Sequence, residues 1–361
     1  MKRALLSLAM VALVACAATS GFMKGDTNSI ISGVTESTGT VVNLTQDLSK
    51  CDQIAAAEIT FDEERTIGGT VALNWVQQGG GLLVDVSTAD AAALASPKTL
   101  AVQDTPHNRL HTYVNVVGKN LAARSTRPTL QWTFGVLDTE GVNAVSAPGG
   151  YVFVTRGLLK RVNNEAALAG ILSHEIAHVT RKDAFAIYQK TKVDQCKSLA
   201  YAKAGQKEGT SVLRSYTPGF INQAYSALQN FSGGALDLNS AANNALLTLF
   251  SDEFVHRYLE GGYARDQELG ADATGLEITV ASGYSPRGFV DFIGALPSGQ
   301  NFFAHHPPPS DRVAAMKLML GKTRMASATT TSGPGTPFSP FNQDLSQLPL
   351  VPLHDELAAA R

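Results

Sequence analysis

The chain has 361 residues, enough for one large domain or two smaller ones. Hydrophobic residues make up 44% and charged residues 17%, an ordinary composition for a globular core. The formal net charge of −2 argues against the basic stripe by which proteins hold nucleic acid, so no nucleic-acid partner is expected.

Lys2 and Arg3 precede an apolar run from Ala4 to Ala15. About a dozen residues fall short of the roughly 20 that span a bilayer. The run fits the apolar core of an export signal, so residues 1–15 are read as a signal peptide. It ends in Leu13-Val14-Ala15-Cys16, which resembles the bacterial lipobox, whose Cys carries lipid and becomes the first mature residue. The plainer alternative is a signal peptide with an incidental Cys16. Position 17 is Ala rather than Asp, as in lipoproteins of the outer membrane that the pattern resembles. The expectation is a lipid-anchored protein of the bacterial envelope, held at the outer membrane and facing the periplasm.

With Cys16 lipidated, Cys51 and Cys196 remain. An oxidising compartment permits a disulfide between them, and a small buried side chain is an equal reading of either. Residues 16–60 are rich in Ser, Thr, Gly and Asn and are read as a flexible tether, the alternative being an ordered strand near Gly39–Leu44.

The folded part is expected from Phe61. Asp62, Glu63 and Glu64 suit a first helical turn, where the dipole favours carboxylates. Gly79, Gly80 and Gly81 then sit in a strand-like interlude. No Lys-Ser/Thr pair follows them, so they are turn residues and not a phosphate cradle. Leu110, Val114, Val117 and Leu121 recur at helical spacing over Asn108–Ala123. Leu130–Leu137 alternates, with Trp132, Phe134 and Val136 on one face, and reads as a strand. Val142–Ser146 and Tyr151–Thr155 are two more strands, broken by Pro148-Gly149-Gly150. Asn163 or Asn164 caps a helix running to about Ala184, with an apolar stripe of Leu168, Ile171, Leu172, Ile176 and Val179. A long Ala/Leu/Ser/Gly segment to about Gly262 reads as helices joined by loops. Further helices are expected over Ala264–Ser282, closed by Gly283 and Pro286, over Pro286–Leu296, and from Pro309 or Ser310 to about Gly321. Residues 61–321 form the domain, and 322–361, rich in Thr, Ser, Pro and Gly, a low-complexity tail.

His174-Glu175-Ile176-Ala177-His178 lies inside the helix capped by Asn163 or Asn164. Residues four apart share a helix face, so two imidazoles point to one place. Zinc takes imidazole nitrogens at about 2.0–2.1 Å in tetrahedral geometry. Glu175 projects to the side, within reach of an attacking water and not of the ion. Chance alone produces such a pattern in about one chain in a hundred of this length, so a third ligand must be found elsewhere. Glu268 and Asp272 stand one turn apart on the Ala264–Ser282 helix. In that pairing Glu268 binds the metal and Asp272 accepts the free N–H of a ligand imidazole. A solvated carboxylate face is the competing reading. The small residues Gly270, Ala271, Ala273 and Gly275 favour the metal, because they let two helices approach closely. Three protein ligands leave a fourth position open, the mark of a catalytic zinc.

The ordered blocks Asn143-Ala144-Val145, Pro148-Gly149-Gly150-Tyr151-Val152-Phe153-Val154, Gly157-Leu158-Leu159, His174-Glu175-Ile176-Ala177-His178, Arg265…Glu268…Ala271-Asp272, Gly283-Tyr284-Ser285-Pro286 and His306-Pro307…Arg312 together resemble metallopeptidase family 48, the zincins that include CAAX prenyl endopeptidases and bacterial heat-shock membrane proteases. The likeness covers about Phe61 to Gly321 and is to the soluble, exported branch. It implies an α+β gluzincin fold, mostly helical with a small sheet flanking the active-site helix. It implies one zinc on His174, His178 and Glu268, with Glu175 as general base. It implies that Asn143–Thr155, with Asn143, Gly149, Gly150 and Tyr151, forms the sheet edge beside the cleft, an edge able to take a peptide as an added strand. It places His306, with His305 beside it, and Arg312 near the metal, to stabilise an oxyanion or occlude the site. Where many relatives carry a further His five residues after His178, position 183 here is Asp, and the span 185–262 between the metal helices is long.

The function this implies is zinc-dependent endoproteolysis in envelope quality control, with unfolded or misassembled envelope proteins as substrates. The alternatives are a non-catalytic, chaperone-like zinc lipoprotein, which would have no need of Glu175, and a zinc hydrolase for a non-protein substrate.

Overall fold

The computed structural model describes residues 43–85, 104–205, 213–296, 308–329, 348, 350–352 and 355. The signal and lipobox expectations, Cys16 included, lie outside these residues, as do His305 and His306. By its internal contacts the chain divides into two units, residues 1–63 with 186–254 and residues 64–185 with 255–361. Among the described residues no helix is long and apolar enough to cross a membrane.

The first unit is helical. Residues 43–56 form α1, which corrects the expectation of a tether as far as Thr60: Asp47, Cys51, Ile54 and Ala55 recur at helical spacing and are all buried. The polar residues between them, which suggested a linker, face outward. Cys51 is joined by a disulfide to Cys196 on α6 (Phe185–Lys203), with Cα atoms 5.5 Å apart. Asp47 accepts hydrogen bonds from Tyr225 and Gln229 of α7 (Pro218–Asn230). Helix α8 spans Ala241–Gly261. The carboxylates at the start of α2 (Phe61–Gln78) are not simply facing the dipole. Glu63 is buried and pairs with Lys192 at 3.0 Å and with the Tyr188 hydroxyl at 2.7 Å. A charge this deep needs such a partner.

The second unit holds a three-stranded sheet, ordered β1-β3-β2, with β1 Thr133–Leu137, β2 Ala144–Ala147 and β3 Tyr151–Thr155. β3 is central, parallel to β1 and antiparallel to β2. Side chains alternate across the sheet. Phe134, Val136, Ala144, Val152 and Val154 enter the main core with α3 (Pro106–Ala122) and α5 (Glu165–Arg181). Leu137, Val145, Tyr151 and Phe153 meet Ala72, Trp75 and Val76 of α2 on the other face. With helices on both faces most strand residues are buried, so β1 from Phe134 to Leu137 is apolar beyond the single stripe that its alternation suggested. A short α4 (Arg156–Leu159) follows β3.

Residues Ala166–Val179 of α5 are all buried, not only its apolar stripe. The Ala and Gly positions between the large residues admit neighbours on every side. α9 (Arg265–Ala281) and α10 (Pro286–Gly294) pack on it. A Cβ at Gly275 would lie 2.9 Å from the backbone N of His174, so α9 crosses α5 at the histidine itself. α11 (Pro309–Thr329) continues eight residues past the expected stop at Gly321.

The two outer edges of the sheet differ. Along β1, Asn115 of α3 pairs with both the N–H and the carbonyl of Phe134. His111 Nε2 accepts from Val136 N at 3.0 Å, and the Val136 carbonyl accepts from Leu83 N at 2.8 Å. Burial, foremost, lowers the His111 pKa and favours the neutral ring that such an acceptor requires. β2 forms the opposite edge, beside a pocket.

Candidate metal centre

Asn164 begins α5, its side chain accepting from Ala167 N at 2.8 Å. At the other end Lys182 takes a left-handed conformation (φ 60°), and Asp183 N bonds back to the His178 carbonyl at 3.1 Å. A non-glycine residue there costs about 1 kcal/mol. The turn brings Asp183 back beneath the helix it has just left.

His174 and His178 lie one turn apart, their Nε2 atoms 3.2 Å from each other. Glu268 of α9 completes the group: its Oε2 is 3.5 Å from His174 Nε2 and its Oε1 is 3.5 Å from His178 Nε2. All three side chains are buried. Donors about 2.0–2.1 Å from a tetrahedral ion stand about 3.3–3.4 Å apart, close to the separation of the two Nε2 atoms and of each from its nearer Glu268 oxygen. Each Nδ1 faces a carboxylate: His174 to Asp272 Oδ1 at 3.0 Å, His178 to Asp183 Oδ2 at 2.9 Å. A ring that donates from Nδ1 turns the Nε2 lone pair inward. Two such lone pairs and a carboxylate aimed at one point call for a cation, and nitrogen with oxygen donors suits zinc.

Burial and the Arg312 charge oppose protonation of His174, but its hydrogen bonds to Asp272 and Glu268 and the Asp272 charge outweigh them and lift its pKa to about 9. Burial would raise the Asp272 pKa, yet Arg312 and His174 hold it well below the usual carboxylate range.

Glu175 is buried between sheet and helix. Its Oε2 accepts from Ser146 Oγ at 2.8 Å, while its Oε1 has no hydrogen-bond partner among the described residues. It lines the pocket with Trp75, Asn143, Val145, Tyr258, Tyr263 and Glu268. The Tyr263 ring stacks on His178 with centroids 4.1 Å apart. Tyr258 O–H donates to the Ser146 carbonyl at 2.6 Å, and its oxygen lies 2.6 Å from that of Tyr263. A phenol has one proton, so Tyr263 is the donor to Tyr258. Burial, foremost, pushes both phenols above their ordinary pKa, which keeps the protons in place.

One expectation is corrected. The edge of the sheet is β2, not the whole of Asn143–Thr155. Tyr151 lies on the central strand, paired on both sides, so its backbone cannot take a further strand. Gly149 and Gly150, at φ 78° and 93°, form the turn between β2 and β3. That turn is held from α2, where Glu64 accepts from Gly149 N at 2.9 Å and Arg65 donates to the Gly149 carbonyl at 2.7 Å. Of that group only Asn143 borders the pocket, just ahead of β2. Arg312 lies beside the metal ligands, its Nη2 3.5 Å from His174 Nε2, though it is not among the pocket residues. Its guanidinium grips both oxygens of Asp272 at 2.6 and 3.0 Å, and lies 3.3 Å from His174 Nδ1. The charge of Asp272 is answered there, which fixes the carboxylate that orients His174.

Sequence reasoning missed Asp183, Ser146, Tyr258 and Tyr263 as site residues. For Asp183 the signal was present, as the departure five residues after His178. Tyr258 and Tyr263 carry no spacing that would have singled them out.

The family model for Peptidase family M48 matches residues 108–319. Among curated proteins, the chain is 22% identical over 239 residues to the beta-barrel assembly-enhancing protease of Yersinia pestis, covering 63% of this chain and 43% of that protein. It is 21% identical over 276 residues to the protein of that name from Escherichia coli K12, covering 74% of this chain and 48% of that protein. It is 41% identical over 66 residues to the mitochondrial metalloendopeptidase OMA1 of Schizosaccharomyces pombe, covering 18% of this chain and 20% of that protein. The chain thus spans less than half the length of these curated relatives. A family match over more than half of the sequence, enclosing all three converging side chains, makes this chain a member of peptidase family M48, zinc metallopeptidases of the gluzincin class.

Proposed function

We propose that this protein is a zinc-dependent endopeptidase of the bacterial envelope that cuts extended segments of unfolded or misassembled proteins. The observation that carries this reading is the asymmetry of Glu175, a pocket-lining carboxylate with one oxygen held by Ser146 and the other buried without a hydrogen-bond partner among the described residues. A structural metal site has no use for such a carboxylate; a hydrolase needs one. His174, His178 and Glu268 would hold the zinc, which when bound acidifies water to near neutrality and polarises a carbonyl. Glu175 Oε1 accepts the proton of the attacking water and returns it to the leaving amine. Ser146 keeps the carboxylate aimed while this happens. Asp272 and Asp183 fix the imidazole tautomers, and Arg312 fixes Asp272.

The β2 edge supplies recognition. Pairing with backbone and not side chain suits a loose sequence preference, as quality control demands. Two relatives are named for β-barrel assembly, which supports misassembled β-barrel proteins as substrates. The Leu13-Val14-Ala15-Cys16 pattern supports a lipid anchor at the outer membrane, with the domain on the periplasmic side.

The test is digestion of unfolded casein by the zinc-loaded protein, with and without chelator, beside Glu175→Gln. The wild type should cut and lose activity on chelation. The variant should bind zinc equally and cut at least about a hundredfold more slowly. Equal cutting by the variant, or zinc binding with no cleavage by the wild type, would refute the reading.

A further inference from the structure

We propose that Tyr258 is a gate on the open edge of the sheet, whose hydroxyl holds the backbone acceptor that an incoming peptide must take. The inference rests on the reading of β2 as the peptide-binding edge and adds to it the residue that controls access.

Antiparallel ladders alternate between residues that bond to their neighbour strand and residues whose N–H and C=O face away. Thr155 N donates to the Asn143 carbonyl at 3.0 Å, so Asn143 faces β3. By the register, Val145 and Ala147 also face β3, opposite Phe153 and Tyr151. Ala144 and Ser146 therefore point their backbone groups outward. The Ser146 carbonyl is the outward acceptor of the residue whose hydroxyl binds Glu175. Tyr258 O–H holds this carbonyl at 2.6 Å.

The phenol is itself tied back. It accepts from Tyr263, whose ring lies on His178. Gly261 and Gly262 separate the two tyrosines, with Gly262 at φ 61° and open space around a Cβ at Gly261. A peptide extending along β2 must replace the Tyr258 proton with one of its own amide protons. Its binding is weakened by the strength of the bond it breaks.

The test measures binding, so it does not depend on hydrolysis. The full zinc-loaded chain carries Glu175→Gln, alone or with Tyr258→Phe. The probe is a fluorescein-labelled, strand-prone peptide of about eight Thr and Val residues, read by anisotropy. Removing the hydroxyl should tighten the Kd about fivefold, the effect of one net hydrogen bond. A second set of peptides carries a single N-methyl group, moved along the chain one residue at a time. At one position the methyl group should abolish the gain from Tyr258→Phe, a pattern that a general loosening of the pocket would not give. Zinc content and circular dichroism establish that both variants are folded. An unchanged or weaker Kd with Tyr258→Phe overturns the gate, as does a gain that no N-methyl position removes, or binding by neither chain. Loss of casein cleavage by the wild type, with this binding pattern intact, sinks the protease reading and leaves the gate standing.

Discussion

Asp183 lies past the end of the helix that carries His178, yet its Oδ2 is 2.9 Å from His178 Nδ1. No helical register brings positions five apart together. The left-handed turn at Lys182 does so, and Arg181 Nε at 3.3 Å and the Asp183 carbonyl's bond from Gln267 fix the result. The carboxylate thus does for His178 what Asp272 does for His174.

Losing an orienting carboxylate typically weakens a metal site by about 10–100-fold. Asp183→Ala should show a loss in that range, and Asp183→Asn a smaller one, by competition with a chromophoric chelator. Circular dichroism should be unchanged. An Asp183→Ala protein that holds zinc as tightly as the wild type would remove Asp183 from the site.

The crossing of α5 and α9 supplies a second prediction. At Gly275 a new Cβ would meet the backbone of His174 at 2.9 Å, whereas at Gly270 it would meet the movable guanidinium of Arg181. Gly275→Ala should destabilise the protein by about 1–3 kcal/mol in urea unfolding and lower its zinc content. Gly270→Ala should cost less than about 1 kcal/mol. Equal effects would mean that the helices do not meet at the histidine.

The pH dependence has a definite sign. In the metal-free protein the His174 pKa is raised from 6.5 to about 9. Its protonation therefore stabilises the fold fully below about pH 6.5, and that stability is lost as pH rises through about 9. Zinc competes for the same imidazole, so its apparent affinity should fall about tenfold per pH unit on descending from 9. Melting curves with and without zinc should diverge as pH rises over this range. A gap that stays constant would count against a protonated His174 in the metal-free state.

The disulfide closes a long stretch, with Cys51 and Cys196 separated by 145 residues in sequence. Replacing both by Ala should lower stability by about 2–5 kcal/mol in urea. The zinc content of the folded variant should stay unchanged, because the metal ligands belong to the other unit. Zinc loss in parallel with the bond would contradict that independence.

Much of the site was legible in the sequence because its spacing is helical. His174 and His178 repeat at four residues, and Glu268 and Asp272 at four, and a periodic backbone turns such spacing into a shared face. The small residues of α9 announced the close approach that Gly275 makes. Position 183 stood out in the sequence as a departure, but its contact with His178 was not legible, since that placement depends on one backbone angle at Lys182. Tyr151 looked like an edge because strand order is a long-range property that local alternation does not carry. The helix at residues 43–56 was hidden by its polar outer face, and only burial of Cys51, Ile54 and Ala55 reveals it. Arg312 was marked by its block, but its target was set by the packing of α11, which no local pattern states.

The capping of β1 by His111, Asn115 and Leu83 has a consequence for crowding. Sheets polymerise through exposed edges. Here one flank is sealed by the molecule's own side chains and loop, so any second copy that docks by strand pairing must use the flank that Tyr258 partly covers. Self-association of that kind would occupy the edge proposed for peptide. At high concentration the protein would compete with its own substrates, and dilution would restore the lost turnover.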